Sequence, residues 1–148
     1  MPTKPISSGT LAQQCAALPL LTDGTGSLTV GLITSRDTGR WVLPKGWLKD
    51  GEPAHKTAAE EAYEEAGLLG QILTEPVGSY TYRKRLDCLS SVVCEVVVYQ
   101  LVVTTRLDDW PEKSQRHLAF FPPSVAAALV HEPGLASLLL SMEIDASA

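Results

Sequence analysis

Positive charge is scarce in this sequence. Twelve Lys and Arg stand against seventeen Asp and Glu, a formal net charge of −5. That balance argues against broad electrostatic binding along a nucleic acid and leaves a local basic patch as the place for an anionic partner. Cysteine is scarce as well: Cys15, Cys88 and Cys94 are odd in number and lack metal-ligand spacing, so they read as reduced thiols in a reducing cytoplasm. No apolar run is long enough to span a bilayer, since the longest, 92–103, is interrupted by Glu95 and Gln100. The N-terminal MPTKPISSGTLAQQ has no signal-peptide core. His55, His117 and His131 show no ligand spacing, and no internal repeat or linker is visible. What remains is one soluble domain over residues 12–148 behind a loose polar tail, 1–11, with 45% apolar residues to form a core.

Within that domain the punctuation is clear. Asp23-Gly24-Thr25-Gly26 and Asp37-Thr38-Gly39 mark turns, so 13–21, 27–34 and 40–43 read as strands, the last two as a hairpin. Pro44-Lys45-Gly46 and Asp50-Gly51 suggest a loop, followed by a helix over 53–66 with Pro53 in its first turn and Gly67 just past its end. Segments 69–73 and 77–83 read as strands around Pro76. Residues 90–104 form the strongest strand pattern, apolar on both faces and therefore central. A polar loop over 106–115, a short strand near 117–121, a helix over 125–131 capped by Ser124, and an apolar helical segment over 135–142 complete a mixed sheet with helices packed on it.

The segment 46–68, GWLKDGEPAHKTAAEEAYEEAGL, carries the chemistry. Glu61, Glu64 and Glu65 stand at i, i+3 and i+4, forming one acidic ridge on a helix, with Ala59, Ala62, Tyr63 and Ala66 roughly opposite as a packing face. Like charges at this spacing destabilise a helix by a few tenths of a kcal/mol per pair. Such a ridge calls for a positive group to offset it, most simply a hard divalent cation with oxygen ligands.

This segment resembles the Nudix box, G-x5-E-x7-R-E-U-x-E-E-x-G-U with U a bulky aliphatic residue. Gly46, Glu52, Glu61, Glu64, Glu65, Gly67 and Leu68 fall in register. The six of fixed identity, Leu68 aside, each filled by chance about one time in ten, match in roughly one window per million. Two positions depart: Ala62 replaces a larger aliphatic residue, and Glu60 stands where the family has an arginine understood to orient and balance the carboxylates. Lys56, one turn earlier, is a partial compensation for Glu60 in the weaker i,i+4 order. The wider context SRDTGRWVLPKGW resembles bacterial members akin to diphosphoinositol polyphosphate phosphohydrolases.

The resemblance implies a Nudix α/β/α sandwich around a central mixed sheet. It also implies hydrolysis of a phosphoanhydride with Mg²⁺ as cofactor, Mn²⁺ being a possible substitute. Glu61, Glu64 and Glu65 would hold metal, with Glu61 or Glu65 also the base, and Glu52 would support them from the loop. A phosphoanhydride repels both water and a carboxylate base, and a bound divalent ion offsets that repulsion. Glu95, interrupting an apolar strand, either faces this site or lies near an edge; Glu112 is an auxiliary base or a solvated loop acid. Arg83-Lys84-Arg85 is the only dense basic cluster, a clamp for extra phosphates or a solvated hairpin tip. Lys45 and Gly46, Arg36 and Arg40 are further substrate contacts. Arg116 joins them or pairs with Glu112. Trp41 and Trp47 either stack on a base or pack.

Three activities are consistent with these residues. The first is a hydrolase of highly phosphorylated small molecules, diphosphoinositol polyphosphates or dinucleoside polyphosphates. The second is a pyrophosphohydrolase of nucleotide sugars, nucleoside triphosphates or capped RNA. The third is a ligand-binding module of the same fold whose catalysis weakened when Glu60 entered the box. The expected partner is a small diphosphate compound, not a membrane or an extended nucleic acid, and the edge strands permit a monomer or a homodimer.

Overall fold

The computed structural model describes residues 12–147, with side chains to Met142; the expected tail, 1–11, lies outside them. Eight strands form one mixed sheet: β1 (Ala12–Thr22), β2 (Leu28–Thr34), β3 (Trp41–Val42), β4 (Lys45–Trp47), β5 (Leu68–Ile72), β6 (Gly78–Asp87), β7 (Ser90–Arg106) and β8 (Leu118–Phe121). Three helices, α1 (Ala54–Ala66), α2 (Pro123–Leu129) and α3 (Pro133–Ser147), pack on it. β1 and β7 run parallel at the centre, from Ala12 opposite Cys94 to Leu20 opposite Val102. β6 and β5 pair antiparallel along successive halves of β7. On its other side β1 pairs with β4 near its start and with β2 near its end. β2 in turn carries β3 and β8.

The two faces of this sheet bury different layers. Ala16, Leu18, Val30, Leu32, Val96 and Val98 pack with Ala126, Leu135, Leu139 and Met142 of α2 and α3. Cys15, Ala17, Ile33, Tyr99, Leu101 and Val103 pack with Ala58, Ala62 and Ala66 of α1. The switch in buried parity along β7, from even to odd residues, is what its valine-rich run permits: Val96 to Tyr99 is apolar on both faces, and each face is covered in turn. The sequence pattern therefore reads correctly as a central strand in an α/β/α sandwich.

Three local expectations need correction. Residues 45–47 form a strand, because the Ala17 amide donates to Pro44 O and the Leu48 amide to Gln13 O, extending the β1–β4 ladder at both ends. The packing face of α1 is Ala58, Ala62 and Ala66, each fully buried, whereas Tyr63 is 40% exposed. The i, i+4, i+8 series of alanines leaves Glu61 and Glu65 at the edge of the interface, so two members of the acidic ridge are buried. α2 begins at Pro123 with Pro122 at the cap position, placing Ser124 inside the first turn.

Because α1 meets the sheet's larger side chains with methyl groups alone, and these alanines are fully buried, the interface has no slack for a larger residue on the helix. Ala62→Leu is expected to cost about 1–3 kcal/mol, read as a lower urea midpoint with an unchanged denaturant slope.

Candidate active site

The loop before α1 and the first turns of the helix set the carboxylates in place. Pro53 is the cap residue, and its carbonyl accepts from the amides of Lys56 and Thr57. The Thr57 hydroxyl, fully buried, donates to Glu52 Oε2 at 2.7 Å and ties the loop to the helix. Lys49 Nζ donates to Glu60 Oε1 at 2.7 Å on the solvent side. Lys49, rather than Lys56, is therefore the main partner of Glu60, whose carboxyl is held below the ordinary range chiefly by that hydrogen bond. The negative charge in place of the box arginine faces a lysine outside the buried pair of carboxylates.

Gly46 is needed for a close approach. In β4 it pairs with Cys15, and a Cβ there would lie 2.5 Å from the carboxyl carbon of Glu61. Only a hydrogen leaves room for that carboxylate against the strand. Beside it, Glu65 Oε1 accepts from the Lys45 amide at 3.2 Å. Glu61 and Glu65 are 9% and 8% exposed. Burial pushes both carboxyls up, and the hydrogen bond between them raises Glu65 further, to about 8. Arg116 pulls the other way on Glu65, but desolvation and the second carboxyl win. Carboxyls this close titrate as a pair rather than independently.

The far end of α1 is sealed by the loop that follows β7. Gly67, at φ 67°, ends the helix in the left-handed conformation, and a Cβ there would run into the Trp110 ring. The Trp110 indole donates to Glu65 O at 3.3 Å, the Glu112 amide to Glu64 O at 3.0 Å, and the Leu107 amide to Gly67 O at 2.9 Å. Carbonyls that a helix end would leave without partners are thus met by this loop. The same loop delivers Glu112 and Arg116. Arg116 Nε donates to Glu112 Oε1 at 2.8 Å and Nη1 to Thr34 O at 3.1 Å, while Nη2 lies 3.7 Å from Glu65 Oε2. Arg36 Nη1 donates to Gln115 at 2.8 Å and stands 3.9 Å from Glu112.

A cleft of about 1170 Å³ opens on the α2/α3 face, lined by Arg40, Lys45, Tyr82, Lys84, His131 and Glu132 among others. Lys45 is the seam between the two regions. Its amide meets Glu65, but its residue pairs with Ala16, which belongs to the layer under α2 and α3. Its side chain accordingly projects to that face, with Nζ 5.0 Å from the Tyr82 ring centroid. Burial pushes the Lys45 ammonium down, and Glu65 only partly offsets this.

The expected site residues are therefore distributed as follows. Glu61 and Glu65 come together; Glu52 bonds to Thr57, and Glu64 is half-buried on the same helix. Among the described residues no three His, Cys, Asp or Glu side chains are gathered as a metal-ligand set. Arg36, Glu112 and Arg116 join the α1 carboxylates in one network, whereas Glu95 accepts from Gln13 at 3.1 Å. The strand's alternation gives the basic cluster unequal burial, Lys84 sharing the face of Tyr80 and Tyr82 while Arg83 and Arg85 are exposed and Arg83 donates to Ser91, but all three line the cleft. Trp41 packs edge-to-face on Phe121 at 5.2 Å, and Trp47 is largely exposed. The sequence reading missed Trp110 and Lys49. The glycine at 67 with a tryptophan in the next polar loop was the available signal for the first; the second depends on loop geometry alone.

The raised carboxyl has a consequence for metal-free protein. Its folded-state value near 8 lies above the unfolded value of 4.5, so the folded chain holds more protons between these limits and stability is lost as pH rises through them. In chelator-treated protein the melting temperature should fall as pH is raised from about 5 to about 8, and Glu65→Gln should flatten that fall. A scanning-fluorimetry pH series reads both.

Comparison with known proteins agrees with this architecture. Nudix hydrolase 12, mitochondrial, of Arabidopsis thaliana is 33% identical over 99 residues, covering 64% of this chain and 48% of that protein. Nudix hydrolase 21, chloroplastic, of the same plant is 30% identical over 107 residues, covering 72% and 52%. The chain spans about half the length of the curated relatives it matches. Among solved structures, a C. elegans Ap4A hydrolase binary complex superposes with a TM-score of 0.68 at 16% identity, over 93% of this chain and 98% of that one. The NUDIX domain of Shewanella oneidensis NrtR complexed with ADP ribose gives 0.62 at 14%, over 96% and 93%. These two likenesses concern the fold. The family model described as NUDIX domain matches residues 13–140, nearly the whole described chain, and the protein belongs to that family.

Proposed function

We propose that this chain is a divalent-metal-dependent hydrolase of phosphoanhydride bonds in highly phosphorylated small molecules, such as diphosphoinositol or dinucleoside polyphosphates. The observation that carries the reading is the buried Glu61–Glu65 pair, linked through the Lys45 amide to a cleft on the other face of the sheet that contains the Lys45 side chain, Lys84 and Arg40. The donor set suits a hard cation. Two buried carboxyls lie against each other where a divalent ion would be held, and all the candidate ligands are oxygens. Glu61 and Glu65 would hold Mg²⁺, or Mn²⁺ in its place, with the half-buried Glu64 and Glu52 and water supplying further oxygens. When bound, the metal supplies charge neutralisation at the phosphate oxygens and a more acidic water.

The chain's own residues then have distinct tasks. Gly46 keeps the strand clear of Glu61. Once deprotonated, Glu61 or Glu65 accepts the proton of the attacking water. The Lys45 amide fixes Glu65, and its side chain contributes positive charge on the cleft side, where phosphates distant from the scissile bond would lie. Lys84 and Arg40 extend this charge across the cleft. Similar proteins act on or bind related compounds: one is an Ap4A hydrolase, another was crystallised with ADP ribose, itself a diphosphate. Pyrophosphohydrolysis of nucleotide sugars, nucleoside triphosphates or capped RNA would use the same carboxylates with less call on the cleft's positive charge. Three free thiols, one exposed, suit a reducing compartment such as the cytoplasm. No helix among the described residues is long and apolar enough to cross a membrane.

A screen of diphosphate compounds with Mg²⁺, resolving inorganic phosphate, nucleotide and inositol phosphate products, tests the assignment. Glu61→Gln and Glu65→Gln should each lower kcat by at least about a hundredfold. A folded chain inert across the whole panel would leave only a ligand-binding module of this fold. Neutralising the basic cluster separates the substrate classes. Lys84→Ala should raise KM for polyphosphorylated substrates by roughly tenfold, with little effect on a nucleotide sugar, and Arg83→Ala and Arg85→Ala should each matter less than Lys84→Ala.

A further inference from the structure

The box position filled by arginine in the family is Glu60 here, and Glu60 is occupied by Lys49 at the surface. Positive charge nevertheless reaches the carboxylate pair, from a residue more than fifty positions downstream. The Arg116 side chain is only 9% exposed, so it is no surface clamp. Each arm of its guanidinium has an assignment: Nε to Glu112 Oε1, Nη1 to the backbone carbonyl of Thr34 on β2, Nη2 toward Glu65 Oε2. The Thr34 hydroxyl accepts from the next amide, His117, and the Thr34 amide donates to His117 O. The Arg116–His117 segment is therefore anchored to Thr34 at the end of β2 at three points, one of them the Arg116 guanidinium. Glu112 is held equally firmly, by its amide on Glu64 O and its carboxylate on Arg116. Glu65 has its two oxygens directed to the Lys45 amide and to Arg116.

We propose that Arg116 is the positioning residue of this site: it joins Glu65 of the helix to Glu112 of the following loop and does for the carboxylates what the box arginine does elsewhere in the family. A planar fork suits that task, because it fixes direction as well as charge. A lysine at 116 would hold one carboxylate and lose the other. The role rests on the proposed metal-dependent function, and the closing experiment separates the two.

Mn²⁺ added to chelator-treated full-length protein is followed by electron paramagnetic resonance, which reads free ion independently of turnover. Arg116→Ala should weaken Mn²⁺ binding about ten- to a hundredfold, although removing a positive charge would by electrostatics alone strengthen it. Arg116→Lys should recover part of the loss. Glu112→Ala should weaken binding in the wild-type background and add little to Arg116→Ala, since the two act through one contact. In turnover assays kcat should fall while KM stays near the wild-type value. Arg116→Gln, close in length and neutral, carries the same expectation if the alanine variant does not fold. Folded variants that bind Mn²⁺ as tightly as wild type, effects of Arg116→Ala and Glu112→Ala that add, or a rise in KM alone would overturn the role. A wild-type chain that leaves Mn²⁺ free would remove the proposed function itself, and the role with it.

Discussion

Close approach of one helix to the sheet is the constraint on which the rest of this structure depends. Ala58, Ala62 and Ala66 bring α1 down on the sheet, presenting nothing larger than a methyl group to Cys15, Ala17, Tyr99 and Leu101 of β1 and β7. At that separation Glu61 meets the backbone of β4, and only Gly46 can receive it. Both carboxyls of the pair are then largely withdrawn from water and lie against each other. Their raised protonation follows from packing rather than from any unusual residue. The helix accepts this arrangement because its hydrophobic contacts are distributed over a face that the carboxylates only border.

That arrangement concentrates electrostatic strain, and the surrounding segments are disposed to relieve it. Lys49 answers Glu60 outside, Arg116 answers Glu65 and Glu112 inside, and the Lys45 amide supplies a dipole where another full charge would not fit. Lys45 also shows how one residue serves two faces of a sheet. Its backbone belongs to the acidic region while its ammonium, pressed down by burial, stands over Tyr82 on the other side.

The parts of this protein that could be read from its sequence are those governed by local rules. Gly67 at the end of α1, the valine-rich run of β7 and the turn at Asp37-Thr38-Gly39 each declare themselves through backbone conformation or periodicity, and all three stand where expected. The register of Gly46, Glu52, Glu61, Glu64 and Glu65 also sufficed for the family. What was not legible depends on residues distant in the chain. Residues 45–47 look like a loop because proline and glycine are there, and become a strand only when β1 lies alongside. In sequence the acidic ridge reads as lying opposite a packing face of Ala59, Ala62, Tyr63 and Ala66; the alanine series at 58, 62 and 66 instead sets Glu61 and Glu65 at the border of the buried face. The partners of Glu60 and Glu65, Lys49 and Arg116, come from loops whose paths no periodicity encodes. Arg83-Lys84-Arg85 reads as one cluster in sequence and is given unequal burial by the strand's own alternation.

The central parallel pairing has a consequence for how the molecule is made. β1 and β7 meet from Ala12–Cys94 to Leu20–Val102, so the sheet's axis joins segments about eighty residues apart and waits on closure of a long loop. β4 needs β1 for its pairing, and α1 needs both central strands for its alanine face. Glu61 and Glu65 neighbour each other as soon as α1 forms, but they are buried against β4 only once β4 has paired with β1, while the β6–β7 hairpin has no such wait. A nascent or partly unfolded chain would hold every acidic residue of the site and none of its burial, so the two carboxyls would titrate as ordinary solvated acids until the last long-range contacts closed.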